Sequence, residues 1–353
     1  MKRFNFKKYL FFKNNVYISL KFFILIYFML KLFILNNIKK KIGVISCNHH
    51  KNVGNNLIKY SIFIILSNFG FEPQIIGTNP KNFNISFLKK YVKVRTIKNF
   101  SEINENDYDI LIVNSDQTWR KWDKDFYDIA FLKFARNWNK NKFIYAASLG
   151  FNFWNFSKND EKLAKVLLKN FSGISVREKK SVNLIKKYLG FKSSFVLDPT
   201  FLIDKKYYLT IIKNYKNDKY YNLNYMLIYK VTFSNYTIPK EIDIFIKDAS
   251  LMFKYKIFNV DTYEKESIEK FLYGINNCKA VITNSYHATI FSIIFNKPFI
   301  SFISSNDERL PSLKELLGIE KRIIKYNQKP DYNLLKEPLY INKNKLNYFI
   351  SII

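Results

Sequence analysis

Ala280-Val-Ile-Thr-Asn-Ser-Tyr-His-Ala-Thr-Ile-Phe-Ser-Ile-Ile-Phe-Asn-Lys-Pro-Phe299 is the stretch from which the architecture can be worked out. Ala280 to Thr283 reads as a short buried strand and Ala288 to Phe295 as an apolar helix. Asn284, Ser285, Tyr286 and His287 fill the turn between them. The chain has only three histidines, and this one falls where a strand ends and a helix begins. In open α/β sheets, ligands bind at that edge. The first N–H groups of such a helix have no intrahelical partner and attract anions. An imidazole placed there also exchanges a proton near neutral pH. The turn therefore suits a phosphate-bearing substrate and acid–base chemistry.

The same grammar extends in both directions. Lys41 to Cys47 reads as a strand, Asn48 to Asn56 as a polar loop, Leu57 to Asn68 as a helix and Glu72 to Ile76 as a second strand. Tyr108 to Val113 is a strand that runs into Asn114-Ser-Asp-Gln-Thr-Trp119. Lys142 to Ala147 runs into Ser148-Leu-Gly150, Gly173 to Val176 into Arg177-Glu178, and Ser194 to Leu197 into Asp198-Pro-Thr200. A helix from Lys179 to Leu189 separates the last two strands. A second series begins at the strand Tyr225 to Tyr229 and continues past Phe299 to Ile303. Polar residues gather at one end of the strands throughout. That pattern predicts an α/β fold with doubly wound, mostly parallel sheets. Two Rossmann-like domains facing across a cleft are expected, over 42–204 and 205–353, with the join in the lysine- and tyrosine-rich stretch Asp204 to Tyr221.

The chain has 353 residues, 48 % of them hydrophobic and 18 % aromatic, enough to bury sizeable cores. Its net charge of +30 invites a nucleic-acid partner. The abundance of Asn, Ile, Phe and Tyr beside Lys is what AT-rich coding produces by itself, and most lysines are interleaved with carboxylates. No specific nucleic-acid partner is expected. Two cysteines, Cys47 and Cys278, stand far apart and exclude a disulfide framework. No His, Cys and Asp cluster has metal-ligand spacing, so no metal is expected. A reduced, cytoplasmic compartment is the simplest reading.

Residues 1–41 contain ten basic residues, Lys2 and Arg3 through Lys41, and no acid. Apolar runs such as Phe22 to Leu30 lie between them. A basic apolar helix lying peripherally on the anionic inner face of a membrane is expected. Packing on the protein's own domain and a true span are the alternatives.

Six short elements, taken together and in order, resemble the polysaccharide pyruvyl transferase family over roughly 42–325. They are Asn52-Val-Gly-Asn-Asn-Leu57, Asn114-Ser-Asp-Gln-Thr-Trp119, Tyr145-Ala-Ala-Ser-Leu-Gly150, Ser175-Val-Arg-Glu178, Leu197-Asp-Pro-Thr200 and Asn284-Ser-Tyr-His-Ala288. Asn114 and Ala288 stand where the family has glycine, and Asn284 where an acid is common. A methyl group at 288 would crowd a phosphate that approaches the backbone there.

The resemblance implies a glycosyltransferase-like (GT-B-like) fold and transfer of pyruvate from phosphoenolpyruvate onto two hydroxyls of a sugar, giving a ketal. No cofactor is implied beyond phosphoenolpyruvate as the donor. The acceptor would be a cell-surface glycan or its lipid-linked precursor. His287 is expected as general acid/base or phosphate ligand, and Arg177 as a clamp on phosphate or carboxylate, or else as an ion pair with Glu178. Asp116 would take a proton from the acceptor or stabilise its turn. Asn52, Gly54, Asn55, Ser115, Gln117, Ser148, Glu178, Asn284, Ser285 and Arg309 complete the expected substrate-binding set, with helix capping the competing role for Ser285. Trp119, Trp122 and Trp138 stack on sugars or pack in the core, and His49 and His50 are accessory candidates. His287→Ala and Arg177→Ala are each expected to remove turnover without unfolding the chain. A nucleotide-sugar glycosyltransferase on the same scaffold and a decayed glycan-assembly protein are the competing readings.

Overall fold

Seven strands form the first sheet of the computed structural model: β1 (Lys41–Ile45), β2 (Glu72–Thr78), β3 (Val94–Ile97), β4 (Ile110–Val113), β5 (Asn141–Ala147), β6 (Gly173–Val176) and β7 (Ser194–Phe195). They lie in the order β3-β2-β1-β4-β5-β6-β7, and every pairing is parallel. The second sheet holds β8 (Tyr225–Tyr229), β9 (Lys256–Asn259), β10 (Ala280–Thr283), β11 (Phe299–Ile303) and β12 (Ile323–Lys325). Its order is β12-β11-β10-β8-β9, again all parallel. Both are doubly wound Rossmann-type orders. Each reverses direction once, between β1 and β4 in the first sheet and between β8 and β10 in the second. The structure describes residues 39–46, 52–78, 85–121, 125–213, 215, 223–231, 239–260, 267–304, 306–337 and 339. The expected membrane-surface helix before residue 39, Cys47, His49, His50 and Trp122 lie outside them.

The described helices are α1 (Val53–Asn68), α2 (Ile85–Tyr91), α3 (Phe126–Phe131), α4 (Lys158–Leu168), α5 (Lys179–Leu189), α6 (Lys205–Ile212), α7 (Lys240–Phe253), α8 (Ser267–Asn277), α9 (Tyr286–Ile294) and α10 (Arg309–Leu317). Two of them start earlier than apolar periodicity suggests, and both starts matter. Asn52 caps α1, its Oδ1 accepting from the Gly54 and Asn55 amides, so the helix begins at Val53 and not at Leu57. Ser285 caps α9, its Oγ accepting from the Ala288 amide, so His287 belongs to the first helical turn. The sequence reading misses α2, β3, α3, α6 and β12, each of eight residues or fewer. Elements that short carry too few apolar repeats to register and form through contacts with the rest of the fold.

One apolar core runs continuously from the first sheet to the second. It joins Ile42, Val44, Leu57 and Tyr60 to Tyr225, Leu227, Phe258 and Phe291. Tyr208 of α6 links the two sides: its ring meets Phe291 edge-on at 4.9 Å and Tyr60 at 6.2 Å. Separate cores cover the outer faces of the two sheets. A shared apolar seam of this kind holds the domains in a defined relation and brings the two strand-end edges together. Among the described residues no helix is long and apolar enough to cross a membrane.

Candidate functional site

The two direction-reversal points of the sheets meet at Gly54 and His287. Gly54 sits in the first turn of α1, after β1, and His287 in the first turn of α9, after β10. A Cβ built on Gly54 would lie 2.0 Å from His287 Nδ1 and 2.3 Å from its Cγ. Only a residue without a side chain lets the imidazole rest against the helix backbone at this point. On its other side, His287 Nε2 is 3.8 Å from Asp198 Oδ2. That nitrogen is buried and has no hydrogen-bond partner among the described residues.

Asp198 is the hub around which the first domain's motifs converge. It caps a short turn after β7, its Oδ1 accepting from the Thr200 amide at 3.0 Å and Thr200 Oγ1 at 2.7 Å. Its Oδ2 receives Arg177 Nη1 at 2.5 Å and lies 3.3 Å from Ser115 Oγ. Arg177, just past β6, is fully buried. Its Nη2 donates to Asp116 Oδ1 at 3.1 Å, and its Nε is 3.8 Å from Glu178 Oε1. The guanidinium also lies over the Tyr286 ring, 4.6 Å from the centroid, tying it to the second domain. Asp116 Oδ2 accepts from Asn55 Nδ2 at 2.8 Å, which brings α1 into the same network.

This packing sets the charges. Burial works against the Arg177 cation, but Asp198, Asp116 and Glu178 outweigh it and hold the guanidinium firmly charged. Burial raises the Glu178 carboxyl above its ordinary value, and Arg177 opposes that rise. Burial pulls His287 down to about 4, with Asp198 pulling the other way. The imidazole is therefore neutral at pH 7 and can accept a proton. An anion close to it would restore its affinity for one.

Asp116 has φ of +99°, a conformation that non-glycine residues seldom adopt. Its carbonyl accepts from the Thr118 amide at 2.7 Å and the Ser148 amide at 2.9 Å, which hold the turn in place. Strained backbone of this kind, costing about 1–3 kcal/mol, concentrates at functional sites.

Other expected residues take supporting places. Asn284 spans the second reversal point: its Oδ1 accepts from the Val231 amide at 2.7 Å and its Nδ2 donates to the Val231 carbonyl at 2.9 Å. Asn52 and Ser285 are caps. Ser148 contributes its backbone, donating to Asp116 and accepting from the Trp119 amide. Gln117 is buried beside Arg120, whose Nη1 donates to its Oε1 at 3.4 Å. Arg309 makes a two-point pair with Asp307 and lies 5.7 Å from the Tyr286 ring centroid. Trp119 packs against Phe131 and Phe156 in the core, and Trp138 against Phe134, away from this cluster. The Ala288 methyl packs in the shared apolar core, so it does not crowd the backbone edge. Asn114 is fully buried, and neither amide atom has a partner among the described residues.

The sequence marks Asp198 only as part of a motif and gives Tyr286, Arg120 and Asp307 no part in the site. Asp198 had a readable signal, an Asp-Pro-Thr at the end of a buried strand. Arg120 had none. Among the described residues no group of three or more His, Cys, Asp or Glu side chains is placed to hold a metal ion.

A family model described as polysaccharide pyruvyl transferase matches residues 52–306. No curated protein sequence matches the chain. Among solved structures, the S. aureus MnaA–UDP co-structure is similar at a TM-score of 0.55 with 16 % identity, covering 89 % of this chain and 91 % of that one. The UDP-GlcNAc 2-epimerase of Neisseria meningitidis, bound to UDP-GlcNAc, is similar at 0.50 with 11 % identity, covering 89 % and 94 %. These likenesses establish the GT-B-like fold of two Rossmann-type domains.

Proposed function

Because this chain belongs to the polysaccharide pyruvyl transferase family, we propose that it transfers the pyruvyl group of phosphoenolpyruvate to two hydroxyls of a sugar, forming a cyclic ketal. The observation that carries the reading is the convergence of the separated motifs on one buried cluster in which His287 Nε2 has no hydrogen-bond partner among the described residues. Unpaired buried polar atoms are costly, and a site that binds substrate is one reason to keep them.

The chemistry has a definite inventory. One hydroxyl proton ends on the donor's methylene carbon, which becomes a methyl group and leaves the adjacent carbon electron-poor. The two sugar oxygens bond to that carbon, its bond to the phosphate oxygen breaks, and the second hydroxyl proton departs with phosphate. His287, charged once the anionic donor lies beside it, gives its proton to the methylene carbon, and the neutral ring then takes one from the attacking hydroxyl. Asp116, anchored by Asn55 and Arg177, orients the acceptor hydroxyls. Arg177 positions these groups, since both of its terminal nitrogens are already engaged by carboxylates.

Ligand-observed NMR with purified protein tests the donor. Phosphoenolpyruvate is expected to bind, and to bind at least tenfold more weakly to folded His287→Ala. Donor binding that is unchanged in that variant would remove His287 from the mechanism. UDP-GlcNAc serves as the competing ligand, because the fold is shared with structures holding UDP or UDP-GlcNAc. Binding of that ligand alone would favour the glycosyltransferase reading.

The acceptor is proposed to be a surface glycan or its lipid-linked precursor. Residues 1–41, basic and without an acid, suit a peripheral position on the inner membrane face. Deleting residues 1–38, ahead of β1, is expected to move the protein from the membrane fraction to the soluble one. Continued sedimentation of the truncated chain with membranes would sink that placement.

A further inference from the structure

Arg177 is poorly placed to receive an anion. Three carboxylates, Asp116, Asp198 and Glu178, surround its guanidinium, and the side chain has no exposed surface. A phosphate brought there would meet negative charge first. Nearby, a different pair of cations straddles the boundary between the domains.

Arg120 follows the strained Asp116 turn of the first domain, and Arg309 opens α10 of the second. The segments around them are fastened together. Phe151 forms an antiparallel bridge with Asp307, and the Asn152 amide donates to the Asn306 carbonyl at 3.3 Å. The Arg120 guanidinium stacks on Phe151, 4.1 Å from the ring centroid. Arg309 is held by Asp307 through Nε and Nη2, at 3.2 and 2.6 Å, and its Nη1 makes no hydrogen bond among the described residues. Both guanidiniums are thus oriented by neighbours before any ligand arrives. Each lies in the other's field: burial first, and then the charge of Arg309, bring Arg120 down to about 10, with Asp307 opposing them. Gln117, only 6 % exposed, adds a further donor, since its buried Nε2 has no partner among the described residues.

Two guanidiniums from opposite domains with one carboxylate, Asp307, between them keep a net positive charge, and with the Gln117 amide alongside they suit an anion. We propose that Arg120 and Arg309, one from each domain, form a two-guanidinium clamp for the phosphate of the donor substrate. This deepens the donor reading above and rests on it. In this arrangement Tyr286 borders both the clamp and the Arg177 cage, with Arg309 5.7 Å and Arg177 4.6 Å from its ring centroid.

The test uses the full chain with three probes: inorganic phosphate, phosphoenolpyruvate and UDP-GlcNAc. Arg120→Gln is expected to weaken phosphate and phosphoenolpyruvate binding tenfold or more at an unchanged thermal midpoint. Arg120→Lys is expected to recover part of the loss, since it restores charge but not the planar stack on Phe151. Affinities of Arg120→Gln within twofold of the parent would overturn the clamp, as would a parent chain that binds none of the probes. If Arg120→Gln does not fold, Arg309→Gln decides the matter by the same tenfold criterion. The two readings also separate. Arg120-dependent binding of phosphate and UDP-GlcNAc, without phosphoenolpyruvate binding, keeps the clamp and removes the donor. Phosphoenolpyruvate binding that needs His287 but not Arg120 keeps the donor and removes the clamp.

Discussion

Gly54→Ala is expected to lower pyruvyl transfer and donor affinity by about two orders of magnitude or more while leaving the chain folded. The added methyl would stand 2.0 Å from His287 Nδ1 and 2.3 Å from Cγ, distances no packed carbon tolerates. The α1 backbone cannot retreat easily, because Asn52 caps its first turn and Leu57 and Ile58 anchor it in the core. The imidazole must therefore move, and it leaves its place beside Asp198 Oδ2. Displacing a reacting group by about 1 Å costs on the order of 100-fold in rate. Stability should fall only modestly, because the roughly 1–3 kcal/mol cost of forcing a buried ring aside is partly offset. Gly54 has ordinary helical backbone, and alanine in a helix is favoured over glycine by up to about 1 kcal/mol. Measured together, the thermal midpoint and the donor affinity separate the two effects. A Gly54→Ala variant with donor binding within threefold of the parent would mean that the domains do not meet at His287 when the enzyme works.

Arg177→Ala should instead act first on stability. Removing one partner from a buried ionic cluster leaves the others uncompensated and costs roughly 3–5 kcal/mol. Here Asp198 and Asp116 lose their main cation together, and Tyr286 loses the charge stacked on it. This replaces the expectation, drawn from the sequence, that the variant loses turnover without unfolding. A neutralising second change should restore part of the loss, so Arg177→Ala/Asp198→Asn is expected to be more stable than the sum of the single variants. Urea unfolding midpoints of the parent, the two single variants and the double variant measure this coupling. A single Arg177→Ala variant within about 1 kcal/mol of the parent would show that the cluster is not sealed from water.

Much of the fold was legible because buried parallel strands announce themselves. Tyr225–Tyr229, Ala280–Thr283 and Phe299–Ile303 are short apolar runs closed by polar turns, and the structure keeps all three with unchanged ends. Lys179–Leu189 was legible as a helix from its amphipathic spacing and the glycine that follows it. The motif residues were readable too, since polar side chains at the ends of buried strands stand out against their surroundings. Their roles were less so. Ser285 and Asn52 are caps, Asn284 ties β10 to the end of β8, and Arg177 is a caged cation. For Ser285 and Arg177 the sequence leaves ligand binding beside capping or ion pairing, because these roles draw on the same polar side chains.

Local chemistry along the chain accounts for the strands, the helices and the polar edge on which they end, because burial of alternating or periodic apolar residues is a short-range property. Which of those polar residues touch was settled by distance in space. His287 and Gly54 are far apart in sequence, and only the apolar seam through Tyr60, Tyr208 and Phe291 brings one ring against the other's bare Cα. The cage around Arg177 and the Arg120–Arg309 pair arise the same way, from loops whose meeting depends on how two sheets pack and not on any motif within either.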